Sequence, residues 1–306
     1  MQVKNGLSVD VEDYFHAEAI TGRIGRSSWE RMQSRVVRNT NRVLDLFSEH
    51  RVRATFFVLG WVAARFPELV REIHSRGHEI GCHSFWHRLV YRLTPEEFRE
   101  DTRRAKDIIE SATGARIIGY RAPSFSITKR SQWALKLLWE LGFQYDSSIY
   151  PIRHDRYGIP EHPRFHCRYG HEGSWRIDEF PISTWRWGPV NLPFGGGGYL
   201  RILPLAYSQR AFRIVNKREG QPAIIYFHPW EIDPEQPRLS VSLSSRFRHY
   251  TNLEKMKARV EWLLKSYHFV PLCDLLDGTP YSDADERRAP QETVDDSRLS
   301  SEQTKR

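Results

Sequence analysis

The feature that constrains this chain most is an alternation of short apolar runs with helix-patterned segments. Leu7-Ser8-Val9-Asp10-Val11 reads as a strand running into an acidic turn, and residues 30–49 carry Val36, Val43, Leu44 and Phe47 at helical spacing. Ala54-Thr55-Phe56-Phe57-Val58-Leu59, closed by Gly60, suits a buried strand, and a helix from Trp61 to Ser75 follows, stopped by Gly77. His78-Glu79-Ile80-Gly81 predicts another strand. The next helix opens with Thr94 as N-cap and Pro95 at its first position.

The pattern continues with a strand at Ile117–Tyr120, a helix over 129–141 stopped by Gly142, and a strand at Phe143-Gln144-Tyr145. From about 150 to 200 it breaks into segments rich in Pro, Gly, Arg and aromatic residues, read as loops. It returns with a helix near 204–218, the strand Ala223–Phe227 and a helix near 252–266. Buried strands joined by helices imply parallel strands with right-handed crossovers. A closed or nearly closed βα barrel is the favoured expectation, with an open doubly wound sheet as the alternative. Either way chemistry belongs at the carboxyl ends of the strands.

Composition narrows the function classes. The net charge is +8 with a pI near 9.4. The last 26 residues, from Tyr281, hold seven acids and five bases, so the remainder carries 8 + 2 = +10. The Arg residues are scattered without a dense block, which argues against nucleic acid as a partner. Three dispersed cysteines (Cys82, Cys167, Cys273) make no disulfide framework. No apolar run approaches a membrane span, and Asp10, Glu12 and Asp13 occupy the place of a signal peptide's apolar region. The expectation is a soluble cytoplasmic enzyme, with a basic surface that permits a peripheral position at the inner membrane face. One domain spans 1–280, and a polar, disordered tail spans 281–306.

The charged residues with chemical interest follow predicted strands. His83 and His87, four residues apart, can face one way and share a metal. Asp10, Glu12 and Asp13 form an acidic cluster. Asp10 and Glu12 share a face of the extended chain, and a turn can swing Asp13 round. Two His and one carboxylate suit Zn²⁺ and tolerate other divalent ions. Arg121-Ala122-Pro123-Ser124-Phe125 supplies a guanidinium able to orient a carboxylate, and His228 is a candidate proton donor.

Asp10, the His83–His87 pair, Arg121-x-Pro123 and His228 stand in the order and spacing of the NodB-homology polysaccharide deacetylases (carbohydrate esterase family 4), which residues 6 to 275 resemble. The segments Ser8-Val9-Asp10-Val11-Glu12-Asp13-Tyr14-Phe15, Pro193-Phe194-Gly195-Gly196-Gly197-Gly198-Tyr199 and Phe227-His228-Pro229-Trp230-Glu231 resemble a subgroup from exosortase-linked exopolysaccharide loci, to which 150–280 would be specific.

The resemblance implies a distorted (β/α) barrel with a long loop-rich insertion, and hydrolysis of N-acetyl groups on a polysaccharide. It implies Asp10 as general base, His83 and His87 as metal ligands, Arg121 as holder of Asp10 and His228 as proton donor. A backbone N–H near Ser124 would meet the oxyanion. The third ligand stays open between Glu12 and Asp13, because Val11 stands where many members have a second Asp. The acid that orients His228 stays open among Asp146, Glu231 and Asp178. Trp187 and Tyr199 are candidate sugar contacts, with Trp185 nearby. Cys82 reads as a small buried residue rather than a ligand. The expected partners are an N-acetylated glycan and polysaccharide-assembly proteins. Two rivals are a metal-independent allantoinase-like amidohydrolase and a non-catalytic carbohydrate-binding relative.

Overall fold

The computed structural model describes residues 3–17, 20, 24–171 and 174–276. Its centre is β1 (Lys4–Val11), buried on both faces beyond Lys4. Next in the chain come β2 (Thr55–Val58), β3 (Glu79–Cys82), β4 (Gly119–Tyr120) and β5 (Tyr145–Asp146). Two hairpins follow, β6 (Cys167–His171) with β7 (Trp175–Glu179), and β8 (Thr184–Trp187) with β9 (Val190–Pro193). β10 (Ile224–Phe227) and β11 (His268–Val270) complete the set.

The main sheet runs β10-β1-β2-β3-β4-β5-β7-β6, with β11 pairing with the first residues of β1. Every ladder in it is parallel except β6–β7. This is the expected mostly parallel α/β sheet, but among the described residues it is an open path, not a closed barrel. Phe57, Tyr145, Phe180, Ile224 and Tyr226 come from distant points of that path yet share one buried cluster, so the sheet curls upon itself. The gap is bridged by single contacts. Ser183 N–H donates to the Ile224 carbonyl at 3.2 Å, and Tyr226 N–H donates to the Gly195 carbonyl at 2.8 Å. The larger core lies between the sheet and the helices outside it.

The helices follow their sequence signals where caps are strong. Pro95–Thr113 begins with a full Thr94–Glu97 capping box and ends on Gly114 at φ 68°. The single helix expected from Trp61 to Ser75 is instead two, Gly60–Arg65 and Pro67–Ser75. Pro67 lacks an N–H and pushes Phe66 out of helical geometry, to φ −131° and ψ 60°. The helix expected near 204–218 is α-helical over Leu205–Phe212 and continues as a π-turn over Arg213–Arg218. The loop reading of 150–200 missed both hairpins, whose strands alternate irregularly. A helix at Leu243–Tyr250, capped by Ser242, lies outside the expected elements. The tail at 281–306 lies outside the described residues.

Candidate active site and metal centre

The register puts the chemistry on one rim. Val58 pairs with Cys82, Cys82 with Tyr120, Tyr120 with Asp146 and Val9 with Phe227. The residues that follow these positions, His83, Arg121, Ser147 and His228, therefore emerge at the same carboxyl edge as Asp10 and Glu12. Ser8 and Asp10 point to the inside of the curl, whereas Val9 and Val11 enter the larger core.

Glu12, His83 and His87 present ligand atoms that all lie within 4.8 Å of one another, and all three side chains are buried. His83 donates from Nδ1 to the Arg121 carbonyl at 2.8 Å, which leaves Nε2 with a lone pair. Burial holds the His83 imidazole down to about 4, so it is neutral at pH 7. Burial opposes ionisation of Glu12, but His87, His228 and His83 outweigh it and hold its carboxyl well below the usual range. Glu12 Oε2 has no hydrogen-bond partner although His87 Nε2 lies 2.8 Å away. A buried, ionised oxygen left so beside imidazole nitrogens fits a shared divalent cation, and two N donors with one O donor fit Zn²⁺.

Asp13 is not brought to this group. Its Oδ2 accepts from Ser34 Oγ (2.6 Å), Arg35 N (2.8 Å) and Val36 N (3.1 Å), and its Oδ1 accepts from Tyr14 N. It satisfies the orphan donors at the start of the Val36–Glu49 helix, whose N-cap Arg35 has no side chain suited to the task. The choice between Glu12 and Asp13 is thus one of backbone path. Glu12 N–H folds back onto the Asp10 carbonyl at 3.0 Å, which keeps both carboxylates on the inner side.

Arg121 is fully buried. One terminal nitrogen donates to Asp10 Oδ1 at 2.8 Å and to Ser8 Oγ at 2.6 Å, the other donates to Ser147 Oγ at 2.7 Å, and Nε donates to the Ser147 carbonyl. Its planar cation lies 4.3 Å from the Phe57 ring centre. Asp10 Oδ2 stands 4.0 Å from His228 Nε2.

His228 retains access to solvent and faces carboxylates on both ring nitrogens. Nδ1 donates to Glu231 Oε1 at 2.7 Å, and Nε2 lies 3.4 Å from Glu12 Oε1. Burial would lower its pKa, but Glu12, Glu231 and Asp10 together raise it to about 9. Of the three acids open as its orienter, Glu231 fills the place. Its other oxygen meets Arg201 Nε at 2.5 Å, and Arg201 in turn donates to the carbonyls of Thr251 and Arg248. Burial resists ionisation of Glu231, but Arg201 and His228 hold its carboxyl down at about 2.

Asp146 instead stands next to Glu179 across the β5–β7 ladder and accepts from Ser148 Oγ, while Ser148 Oγ accepts from Ala122 N at 2.7 Å. It supports the Arg121 loop and does not touch His228. Asp178 pairs with His166 and Arg168, away from the rim. Ser124 and Phe125 both sit at positive φ, 52° and 53°, a concentration of backbone strain at the loop where an oxyanion donor was expected.

Three of the four glycines in the run, Gly195, Gly196 and Gly197, are explained by close approach of protein atoms. A Cβ on Gly197 would collide with the Glu231 carboxylate, and one on Gly195 would sit 2.6 Å from the Ile224 carbonyl. Trp185 is buried, Tyr199 is half-buried against Tyr150, and Trp187 is 68% exposed on β8. Cys82 is buried, as expected. Sequence reasoning missed Ser8, Ser147 and Arg201. No local pattern marks them, although Pro229 and Glu231 after His228 do form a capping-box signature that binds that acid to the histidine.

This rim lies on a curled, mostly parallel sheet. Residues 29–145 match the family described as Polysaccharide deacetylase, and residues 147–277 match the Domain of unknown function (DUF3473). The boundary falls at β5, inside the continuous sheet. A peptidoglycan-N-acetylglucosamine deacetylase of Bacillus cereus is 36% identical over 86 residues, 28% of this chain and 29% of the relative. A chitooligosaccharide deacetylase of Bradyrhizobium is 41% identical over 70 residues, 23% of this chain and 32% of the relative. The chain thus spans about a third of the length of these relatives. The crystal structure of an inferred polysaccharide deacetylase from Mycobacterium smegmatis superposes with a TM-score of 0.60 at 19% identity, covering 94% of this chain and 93% of that one, a likeness of fold.

Proposed function

We propose that this protein is a metal-dependent hydrolase that removes N-acetyl groups from a polysaccharide or oligosaccharide, in the assembly of a bacterial exopolysaccharide. The observation that carries the reading is the convergence of Glu12, His83 and His87 beside an Arg121-held Asp10 and a Glu231-held His228. The deacetylase names of the relatives support the substrate class; the setting rests on the motif resemblance of the sequence alone.

A divalent ion held by Glu12, His83 and His87, most simply Zn²⁺, would supply Lewis-acid polarisation of the acetyl carbonyl and of water. Asp10 takes the proton of the attacking water, and Arg121 aims its carboxylate through a charge-assisted hydrogen bond. The Ser124 backbone N–H, in its left-handed turn, meets the developing oxyanion. His228, charged and held through Nδ1 by Glu231, delivers a proton from Nε2 to the departing amine nitrogen. Acetate and a free amino sugar result. Trp187 and Tyr199 offer aromatic faces to the sugar chain.

The test is acetate release across a panel of N-acetylated oligosaccharides, with and without added Zn²⁺. Metal-stimulated release from at least one glucosamine-type substrate is expected. Activity untouched by a chelator would favour the metal-independent amidohydrolase reading and overturn this one.

A further inference from the structure

We propose that the Leu243–Tyr250 helix and its lead-in form a docking ledge for an anionic lipid surface, set beside the catalytic histidine. Leu243 and Phe247 are 84% and 57% exposed, an apolar pair at i and i+4 with nothing packed over it among the described residues. Arg246 shares their face, and Arg238 and Arg248 flank it. None of these three cations makes an ion pair among the described residues. The stretch from Gln236 to Leu253 contains no acid. An exposed apolar pair flanked by cations without ion-pair partners, in a stretch of chain that holds no acid, complements lipid tails beneath anionic headgroups. A soluble polyanion would use the arginines but leaves Leu243 without purpose.

The ledge is built before any partner arrives. Tyr250 Oη accepts from Leu239 N at 2.9 Å, Arg238 lies 4.4 Å over the Tyr250 ring, and Ser242 caps the helix by accepting from Ser245 N. The helix is also joined to the rim. Arg201 bridges the carbonyls of Arg248 and Thr251 to Glu231, and His249 stacks on Trp230 at 4.2 Å. Arg248 exerts its charge on Tyr157 and Tyr199, which border Tyr150 in the aromatic wall near His228. No helix among the described residues is long and apolar enough to cross a membrane, so attachment through this ledge is peripheral. A glycan carried on a lipid would thereby meet the rim at the surface that anchors it.

The experiment is flotation of the full chain with vesicles of phosphatidylglycerol and phosphatidylcholine in equal parts, against phosphatidylcholine alone, at low and high salt. The protein is expected to float with the anionic vesicles only, and less at high salt. The triple variant Arg238→Gln, Arg246→Gln, Arg248→Gln is expected to bind about a hundredfold more weakly. The double variant Leu243→Ser, Phe247→Ser is expected to lose about tenfold or more. These side chains are exposed, so both variants should melt like the parent. No flotation of the parent, or flotation undiminished in both variants, overturns the proposal. Loss with the arginines but full retention in the double variant, with competition by soluble heparin, assigns the surface to a polyanion instead. Self-association that the double variant abolishes, without vesicle binding, assigns it to a second copy of the chain. Each of these outcomes can be read whether or not the protein releases acetate.

Discussion

Glu231 accepts from His228 Nδ1 at 2.7 Å, three residues along one 3₁₀ turn, while its second oxygen is held by the buried Arg201. The histidine is thereby fixed in rotation and kept charged. Replacing Glu231 by Gln preserves the shape but removes the charge that favours imidazolium. Acetate release should fall about 10- to 100-fold, with the upper limb of its pH profile moved to lower pH. Arg201 would also lose its countercharge, at a cost of about 3 kcal/mol in chemical denaturation. An unchanged profile would remove Glu231 from the mechanism.

Gly197 and Gly198 are neighbours with opposite expectations. A methyl on Gly197 meets the Glu231 carboxylate, whereas one on Gly198 meets nothing within 4 Å. Gly197→Ala should destabilise by about 1–3 kcal/mol and depress turnover through displacement of Glu231. Gly198→Ala, at the start of a short helix, should be neutral or stabilise by about 0.5–1 kcal/mol. Thermal melts of the two variants side by side decide the point. Equal effects would contradict the close-approach account.

Glu12 and Asp13 should separate cleanly by their failures. Asp13→Ala removes a helix cap and is expected to cost about 1–2 kcal/mol while the bound metal is retained. Glu12→Gln is expected to lose most of the metal affinity and also to lower stability, since His87 and His228 lose the charge that faces them. Metal analysis after dialysis, together with urea melts, tests both. Retained metal in Glu12→Gln alongside lost metal in Asp13→Ala would reverse the assignment.

Asp146 and Glu179 are cross-strand neighbours, both fully buried, and Glu179 Oε2 has no hydrogen-bond partner. Burial pushes Asp146 up to about 6, and burial with the Asp146 charge pushes Glu179 well above the ordinary carboxylate range. The folded state therefore holds more protons here than the unfolded chain. The contribution to stability is full below the unfolded values near 4 and declines as pH rises through 6 and beyond. Glu179→Gln removes one charge from the pair and should flatten that decline. Denaturant melts from acid to neutral pH would show it, and an identical slope in the variant would exclude the pair as its source.

Much of this was legible in the sequence because it depends on short-range rules. The strand–helix alternation, the Thr94-Pro95 start and the placement of His83, Arg121 and His228 after strands follow from period, caps and register. The acid that joins the two histidines was half-legible. Extended-chain geometry put Glu12 on the side of Asp10, but Asp13 could be set aside only once Ser34, Arg35 and Val36 were seen to occupy it. Arg201 was hidden because its partners, Glu231, Arg248 and Thr251, lie thirty or more residues away. The hairpins at 167–193 were hidden because their strands do not alternate: β7 is buried at all but one position, and β8 passes from buried to exposed along its length. The bridging of the open sheet's gap depends on contacts at Ser183 and Gly195 that no periodicity encodes.

The central claim is that Glu12, His83 and His87 hold a divalent ion on which hydrolysis depends. Its most direct measurement is metal content and acetate release in parallel, for the parent chain stripped by chelator and reloaded with Zn²⁺, and for Glu12→Gln and His87→Gln treated alike. One tightly held ion per parent chain is predicted, with release lost on stripping, restored on reloading and not restorable in either variant. Full release from the stripped parent, or from a variant that binds no metal, would contradict the account.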